Sequence, residues 1–207
     1  MNWPDIQRDD YLRMLDRHRP LSASISEFIC ANRVRSVIEA GCGIGELSYS
    51  VDAYTGIDLN ARILNENQQF CENGTWLNDD WLTMDLSSMR ADMFVATSLI
   101  EHCESFETFL ERVSRLYVKY AVITFHKGLR DTATIRMDRS NSFFDNLYCQ
   151  ADVEKWLREN LKADWYIFRL PLSRSKRMRS VRWDSVLVID WTKNARMEMW
   201  AKRNVAS

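Results

Sequence analysis

A short acidic and glycine-rich segment has the residue types and spacing best suited to bind a ligand. Glu39 follows the β-branched pair Val37–Ile38, and Gly41, Gly43 and Gly45 come next at alternate positions. A buried strand that runs into a glycine-rich turn and then a helix is a ligand-binding corner of an open parallel α/β sheet. Glycine adopts positive φ without penalty and lets a ligand approach the backbone closely. The segment therefore predicts a ligand-binding turn, with a tight turn that binds nothing as the alternative.

The charges around this turn indicate which ligand it would accept. A dinucleotide-binding turn has the pattern G-x-G-x-x-G and holds a pyrophosphate at the following helix N-terminus. Gly41 and Gly43 fit that pattern, but the third glycine position is Glu46, whose carboxylate would repel a pyrophosphate. S-adenosylmethionine (SAM) carries an ammonium and a sulfonium and has no phosphate, so Glu39 would favour it. The segment resembles the first motif of the class I, Rossmann-like SAM-dependent methyltransferases.

A second strand that ends in an acid strengthens this interpretation. The apolar run Tyr54–Ile57 is followed by Asp58. In a doubly wound sheet this aspartate lies at the carboxyl end of the neighbouring strand, beside the glycine turn. A carboxylate there can accept hydrogen bonds from both ribose hydroxyls of a nucleoside. Two strands that each end in an acid are a more specific signal than the glycines alone.

The resemblance also implies an adenine site after the third strand. In the family, an acid there reaches the adenine amino group and the next residue covers the ring, and Asp80 and Trp81 fit best. Asp79 and Asp85 are alternatives, and any of these acids could instead cap a turn. The candidate cofactor-binding residues are Glu39, Gly41, Cys42, Gly43, Gly45, Asp58, Leu59, Asp80, Trp81 and Ser98.

Two histidines are the candidate catalytic residues. Methyl transfer from a sulfonium is a direct displacement, so the protein mainly aligns the acceptor, and a base helps only where the acceptor loses a proton. His102 and His126 follow the fourth and fifth strands, and imidazole titrates near neutral pH. His126 begins a long polar loop and is slightly favoured. Glu101 could contact the acceptor, although capping of the following helix is the favoured role.

A metal site is not expected. The segment Ser98–His102 resembles the Glu-x-x-Glu-His ligand set of the small-RNA 3′-terminal 2′-O-methyltransferases. Here, however, Ser98 stands where that set has its first glutamate, and no later histidine matches. We therefore predict no metal ligands in this chain.

The elements that must position these residues alternate between strands and helices. Strands are predicted at 36–39, 54–58, 74–81, 92–98 and 120–125, and helices at 4–19 (ended by Pro20), from Ser22 or Ser24 through Ile29, and at 44–51, 60–71, 106–116 and 152–161. Residues 164–170 and 185–191 are predicted as an antiparallel pair, because their linker is too short for a helical crossover. The predicted fold is α/β: a Rossmann-like, doubly wound, mostly parallel seven-stranded sheet with a terminal antiparallel strand pair and helices on both faces. We expect one structural domain that comprises an N-terminal helical cap (1–33), a SAM-binding domain (34–192) and a tail (193–207).

Composition limits the function further. The 207 residues are 46% hydrophobic and 28% charged, with a net charge of −1, which is typical of a globular protein and does not indicate a general polyanion binder. No apolar run reaches the roughly 18 residues of a membrane span, and the N-terminus lacks a signal-peptide pattern. The five cysteines form no CxxC pair, so we expect free thiols and a cytoplasmic location.

The acceptor is the least constrained part of the prediction. Residues 173–182 carry five positive charges. We interpret this segment as a solvated hairpin tip. The alternative is a clamp for a phosphorylated or nucleic-acid substrate. The sequence therefore predicts a SAM-dependent methyltransferase that acts on a small molecule. The alternatives are an RNA methyltransferase that uses the basic 174–182 loop and a SAM-binding module without transferase activity.

Overall fold

The chain folds around one seven-stranded sheet. A computed structural model describes residues 7–136, 144–171 and 183–192. Its strands are β1 (Ser36–Ala40), β2 (Ala53–Asp58), β3 (Gly74–Asn78), β4 (Met93–Ala96), β5 (Tyr120–Phe125), β6 (Asp164–Pro171) and β7 (Trp183–Asp190). The strand order is β3-β2-β1-β4-β5-β7-β6, in which β1 to β5 are parallel and β7 runs antiparallel to both of its neighbours. The predicted fold class, including the antiparallel pair, is confirmed.

The central strands are buried on both faces, as their continuous apolar sequences require. Every residue of β4 and β5 is buried. Successive side chains of a strand point to opposite faces, so Val37 and Ile38 belong to two different core clusters. One cluster includes residues of α1 (Arg8–Asn32) and α2 (Ala61–Phe70), and the other includes residues of α3 (Phe106–Ser114) and α4 (Gln150–Asn160). Helices therefore cover both faces of the sheet.

Helix α1 corrects the prediction that Pro20 ends the first helix. The helix is continuous from Arg8 to Asn32 with Pro20 inside it. Proline has no N–H, so the carbonyl of residue 16 loses its helical hydrogen bond at this point. After Pro20 the helix packs its apolar stripe into the core, and Leu21 and Phe28 are at most 2% exposed. This packing compensates for the local cost of proline, which local sequence signals do not include.

The helix expected at 44–51 is also shorter than predicted. The structure has a 3₁₀ helix from Glu46 to Ser50, which begins after the left-handed residue Gly45. The side-chain amide of Asn73 donates to the carbonyls of Ser48 and Val51, at 3.2 and 2.8 Å. These bonds satisfy carbonyls at the end of a helix that is too short to pair them internally.

Helix starts agree better with the sequence. Asn60 caps α2, because its side-chain oxygen accepts a hydrogen bond from the Ile63 N–H. Ser105 caps α3 by accepting from the Thr108 N–H. The capping role that was favoured for Glu101 is therefore wrong, because Ser105 performs it.

Several sequence features lie outside the described residues. These are residues 1–6, which include Pro4, the part of the polar loop at 137–143, the basic segment and the tail from 193. No helix in the described part of the chain has the length and apolar character needed to cross a bilayer. The proposed division at residues 33/34 and 192/193 stays a prediction.

Candidate cofactor and acceptor site

The glycine turn after β1 closes onto the end of β2. The backbone N–H groups of Gly41 and Cys42 both donate to the Ile57 carbonyl, at 2.8 and 3.1 Å. Gly41, Gly43 and Gly45 have φ of 67°, 50° and 65°. This left-handed conformation costs an L-residue with a side chain roughly 1–2 kcal/mol. The alternate glycines therefore allow the chain to turn here.

Asp58 holds this turn from the side. One carboxylate oxygen, Oδ2, accepts from the Gly43 N–H, and the other, Oδ1, accepts from the Asn60 N–H, both at 2.9 Å. Burial raises the pKa of Asp58, and these backbone N–H groups oppose the rise. Each carboxylate oxygen has further lone pairs. Asp58 can therefore fix the turn and still accept a ligand hydroxyl.

Three carboxylates surround the turn. Glu39 is 5% exposed and accepts a hydrogen bond from the Tyr54 hydroxyl. Burial, together with the charges of Glu46 and Asp58, raises the pKa of Glu39 to about 8, against the lowering effect of the Tyr54 hydroxyl. Among the described residues, none of these three carboxylates forms a salt bridge. The corner therefore favours a cationic ligand and disfavours a pyrophosphate.

The three glycines face different neighbours. A Cβ at Gly41 would lie 3.2 Å from Leu99, whereas one at Gly43 would lie 2.7 Å from the Tyr11 ring. A Cβ at Gly45 would lie only 2.2 Å from the Trp76 ring, which also fills the space beside Gly56 and Gly74. The structure therefore gives Gly45 a packing role, and its predicted cofactor contact stays a prediction.

Ser98 is a strained residue at the end of β4. Its φ is 53°, which is unusual for a residue other than glycine. Its N–H donates to Thr124 Oγ1 at 2.9 Å, and its own hydroxyl is buried and has no hydrogen-bond partner among the described residues. Strained residues with unsatisfied polar groups are concentrated at functional sites. These features support the inclusion of Ser98 among the candidate ligand contacts.

The residues predicted to contact adenine differ in accessibility. Leu59 follows Asp58 and is 54% exposed. Asp80 is half-buried and accepts from the Leu82 N–H at 2.8 Å, while Asp79 accepts from the Asp80 N–H and Asp85 from the Ser87 N–H. Each of the three acids thus caps a local turn, which was the alternative role, and which of them contacts adenine stays a prediction.

Trp81 lies deeper than a residue that covers a ligand. It is 4% exposed, and its ring centroid lies 4.7 Å from that of Phe94 and 6.1 Å from that of Phe109. The ring is therefore part of the core in this conformation. Its predicted role as an adenine cover stays a prediction and would require the ring to become accessible.

His102 follows β4 and is held by a hydrogen bond to the backbone. It lies in the 3₁₀ helix Ile100–His102, and its Nδ1 is 2.8 Å from the Phe144 carbonyl. A carbonyl can only accept a hydrogen bond, so Nδ1 carries the proton, and in the neutral ring Nε2 does not. Burial lowers the pKa of His102, against the raising effects of the Phe144 carbonyl and the Asp145 charge. His102 is therefore neutral at pH 7.

Glu101 and His126 lie close to each other at the same edge. Glu101 is 3% exposed, and neither of its carboxylate oxygens makes a well-formed hydrogen bond within the described residues. Burial raises its pKa well above the usual range, the charge of Asp184 adds to the rise, and the nearby His126 N–H opposes it. The ends of β4 and β5 and the start of β7 thus bring together Glu101, His102, His126 and Asp184. His126 stays a candidate, and the bond to Phe144 defines the orientation of the His102 ring.

A sequence family and several solved structures match the chain. Residues 38–124 match the methyltransferase domain family. This segment of the chain resembles a methyltransferase domain, and the sheet that contains it has the fold of class I methyltransferases. No curated protein sequence matches the chain significantly. Magnesium protoporphyrin IX methyltransferase (ChlM) from Synechocystis PCC 6803, crystallised with S-adenosylhomocysteine (SAH), is 15% identical with a TM-score of 0.62, over 84% of this chain and 82% of that one.

Two further structures have the same fold. A SAM-dependent methyltransferase from Clostridium acetobutylicum ATCC 824 is 12% identical with a TM-score of 0.60, over 88% of this chain and 98% of that one. The N-terminal domain of EvdMO1 with SAH bound is 14% identical with a TM-score of 0.60, over 83% and 80%. At these identities the likeness concerns the fold. SAM is the methyl donor of class I methyltransferases, and the acidic glycine turn described above fits its cationic groups.

One residue beside the candidate cofactor turn was not indicated by the sequence. Tyr11 belongs to α1, far from the motifs, yet its ring lies against Gly43. In the sequence it is one apolar residue of a helix, and only the packing of α1 onto the turn identifies it. In the part of the chain that the structure describes, no group of three or more His, Cys, Asp or Glu side chains is arranged to hold a metal ion.

Proposed function

We propose that this chain transfers a methyl group from SAM to a small-molecule acceptor by direct displacement. The observation that carries the proposal is the cofactor corner, where three carboxylates that form no salt bridge with any described residue surround a turn of positive-φ glycines. A cationic, phosphate-free nucleoside is the ligand that such a corner would stabilise.

The individual contacts follow from this electrostatic arrangement. Glu39 would take the ammonium of the methionine part, and the backbone at Gly41 and Gly43 would lie along it. Asp58, held by two backbone N–H groups, would accept the ribose hydroxyls. Leu59 would lie against the adenine, and Asp80 would accept from its amino group. Each assignment uses a side chain or backbone group near the carboxyl ends of β1 to β3, where ligands bind in open α/β sheets.

The chemistry needs little from the protein beyond alignment. SAM would supply a methyl group on a positively charged sulfur: the acceptor's lone pair would form a bond to the methyl carbon while the carbon–sulfur bond breaks and SAH leaves with the electron pair. The ends of β4 and β5 would orient the acceptor. His102 would accept a proton from an acceptor hydroxyl or amine on Nε2, because its Nδ1 proton is committed to Phe144.

The charges near His102 favour a small molecule over RNA. The carboxylates of Asp145 and Asp184 lie near this edge, and Lys127, a cation near them among the described residues, is paired with Asp145 at 2.8 Å. An RNA backbone would need cations facing its phosphates. The basic 174–182 loop, which the RNA alternative would use, lies outside the described residues.

The direct test compares ligands and acceptor pools. We expect calorimetry to detect binding of SAM and SAH but not of NAD, because Glu46 replaces the glycine that a dinucleotide needs. Methyl-labelled SAM should then label a metabolite extract rather than an RNA pool. NAD binding without SAM binding would refute the cofactor assignment. Salt-sensitive labelling of RNA would favour the RNA alternative, and SAM binding without any transfer would favour a binding module.

SAH affinity should increase with pH up to about 8, because protonated Glu39 must lose its proton before it can face the ammonium. The increase should approach tenfold per pH unit below this pKa. Calorimetry at pH 7 in two buffers of different ionisation enthalpy should show release of about one proton on binding.

Glu39→Gln provides the control for this effect. The variant keeps a side-chain carbonyl for the Tyr54 hydroxyl but cannot titrate. It should bind SAH more weakly, with no proton release and a flat pH dependence. If wild-type binding releases no proton, Glu39 does not face the ammonium.

A further inference from the structure

Tyr54 is a buried tyrosine whose hydroxyl reaches Glu39 beside the candidate cofactor turn. It lies in β2 and is 2% exposed, and its hydroxyl donates to Glu39 Oε2 at 2.5 Å. Phenylalanine would fill the same space in the core without a hydroxyl, and a buried hydroxyl is costly unless a partner satisfies it. Core packing alone therefore does not account for a tyrosine at this position, whereas the bond to Glu39 does.

The register of the sheet places the two side chains together. In the parallel pair of β1 and β2, Tyr54 is opposite Val37 and Gly56 is opposite Glu39. Successive side chains of a strand alternate between the two faces, so Tyr54 and Glu39 lie on the same face of the sheet. The Tyr54 ring packs on Trp76, with 5.1 Å between the ring centroids, and Trp76 also fills the space beside Gly56. This packing fixes the ring and therefore the position of its hydroxyl.

The bond to Tyr54 leaves the second oxygen of Glu39 for a ligand. Oε2 accepts from Tyr54, and within the described residues no hydrogen bond to Oε1 is formed. A carboxylate that is held by one oxygen cannot rotate freely, so the direction of the other oxygen is defined as well. Supporting hydrogen bonds of this kind hold a binding group in its productive geometry. Glu39 lies near the end of β1, two residues before Gly41, where the ammonium of SAM is proposed to bind.

The titratable groups that face Glu39 come from β2, the turn and the 3₁₀ helix that follows it. Burial and the charges of Glu46 and Asp58 raise the pKa of Glu39, whereas the Tyr54 hydroxyl lowers it. The Cys42 thiol of the turn is also close to both Glu39 and Tyr54. On the other side of β1, the residues of β4 are all apolar. Tyr54 therefore stabilises the charged carboxylate against surroundings that favour the protonated form.

We propose that Tyr54 is a positioning residue of the cofactor site, and that its hydroxyl orients Glu39 toward the ammonium of the cofactor. This inference rests on the proposed function, because the ammonium belongs to SAM. Tyr54 acts through Glu39 and needs no contact with the cofactor itself. Its removal should therefore weaken binding in a way that depends on pH, which loss of a purely structural contact would not do.

The affinity of Tyr54→Phe for SAH, measured by calorimetry from pH 6 to 9, tests this role. The variant keeps the ring on Trp76 but loses the donor, so the pKa of Glu39 should rise from about 8 to roughly one pH unit higher. The wild type should bind about tenfold more tightly at pH 6–7, and this ratio should fall about fivefold by pH 9, where Glu39 is largely charged in both proteins. The titration of SAH itself cancels in the ratio. Any ratio that remains at pH 9 measures the lost orientation.

Carbon-13 NMR of protein with labelled glutamate carboxyl groups tests the same bond without ligand. The signal that is missing from Glu39→Gln identifies Glu39. Its titration midpoint should lie about one pH unit higher in Tyr54→Phe than in the wild type. Urea unfolding should show that both proteins are folded over the pH range used.

Two controls isolate the path through Glu39. Tyr120→Phe also removes the hydroxyl of a buried tyrosine, which is 5% exposed, but Tyr120 begins β5 and so lies at the opposite edge of the sheet from the glycine turn. It should bind SAH as the wild type does at every pH. In a Glu39→Gln background, Tyr54→Phe should change the affinity by the same factor at every pH, because no titrating carboxyl remains at position 39.

The outcomes separate this inference from the proposed function. If the wild type does not bind SAH, the proposed function fails and this inference fails with it. If SAH binds, but folded Tyr54→Phe has the wild-type affinity or is weakened equally at every pH, Tyr54 does not position Glu39 and the cofactor assignment stands. A raised Glu39 midpoint together with an affinity ratio that falls with pH supports the inference.

Discussion

Replacement of His102 by alanine is expected to lower turnover by roughly 10²–10⁴-fold and to leave SAH affinity nearly unchanged, provided that the acceptor loses a proton. The reason is the tautomer that the structure imposes. The Phe144 carbonyl can only accept, so the neutral ring carries its proton on Nδ1 and can take a second one on Nε2. Single-turnover rates with labelled SAM and calorimetry with SAH measure the two effects separately.

The pH dependence gives a second signature of the same group. Because burial lowers the pKa of His102, the ring should stay neutral to a lower pH than an exposed histidine. The rate should therefore fall only at a pH below the ordinary histidine value of about 6.5. Below that point Nε2 is protonated and cannot accept a proton from the acceptor. The His102→Ala variant should lose this acid limb of the profile.

His102→Asn separates the chemical role of the ring from its structural role. The asparagine amide N–H can donate to the Phe144 carbonyl as Nδ1 does, but the side chain offers no basic nitrogen. If His102 is the base, His102→Asn should fold like the wild type and be as slow as His102→Ala. If it only holds the segment at Phe144, asparagine should restore activity. Full activity of both variants, and of His126→Ala, would mean that neither histidine acts as a base and that the protein catalyses the reaction by alignment.

The predictable parts of the fold are those for which a short stretch of sequence indicates where the segment lies in the sheet. The apolar runs Phe94–Ala96 and Tyr120–Phe125 predicted central strands, because strands that are buried on both faces consist almost entirely of apolar residues. Glu39 and Asp58 could be assigned to one corner because parallel strands end at the same edge of a sheet. Register, rather than chemistry, brought them together: Glu39 pairs with Gly56, two residues before Asp58.

The parts that were not predictable depend on tertiary contacts. Proline at position 20 has a local cost, and nothing in the sequence states that the core packing of Phe28 offsets it. Tyr11 looks like any apolar helix residue until α1 is placed on Gly43. The buried position of Trp81 depends on contacts with Phe94 and Phe109, which are distant in sequence. Such contacts have no signature within a short window.

Gly45 belongs to the glycine motif, yet the structure also gives it a packing role beside Trp76. We expect Gly45→Ala to lower the free energy of unfolding by about 2–5 kcal/mol. The left-handed conformation, with φ of 65°, accounts for roughly 1–2 kcal/mol of this. Overpacking accounts for a further 1–3 kcal/mol or so, because the new Cβ would lie 2.2 Å from Trp76. The Trp76 ring is also confined by Gly56 and Gly74, so it has little room to move away. Urea unfolding followed by tryptophan fluorescence measures the change.

Gly41→Ala is the matched control, because Gly41 has nearly the same φ, 67°, but the atom nearest to its Cβ would belong to Leu99, at 3.2 Å. It should therefore cost mainly the conformational part, about 1–2 kcal/mol. The cost of Gly45→Ala should fall toward that value when it is measured in a Trp76→Leu background, which removes the ring that the new methyl group meets. Equal costs at Gly41 and Gly45, with no coupling to Trp76, would mean that Gly45 is required for its backbone conformation alone. In that case its place in the turn, and not the packing of Trp76, would explain why glycine is needed there.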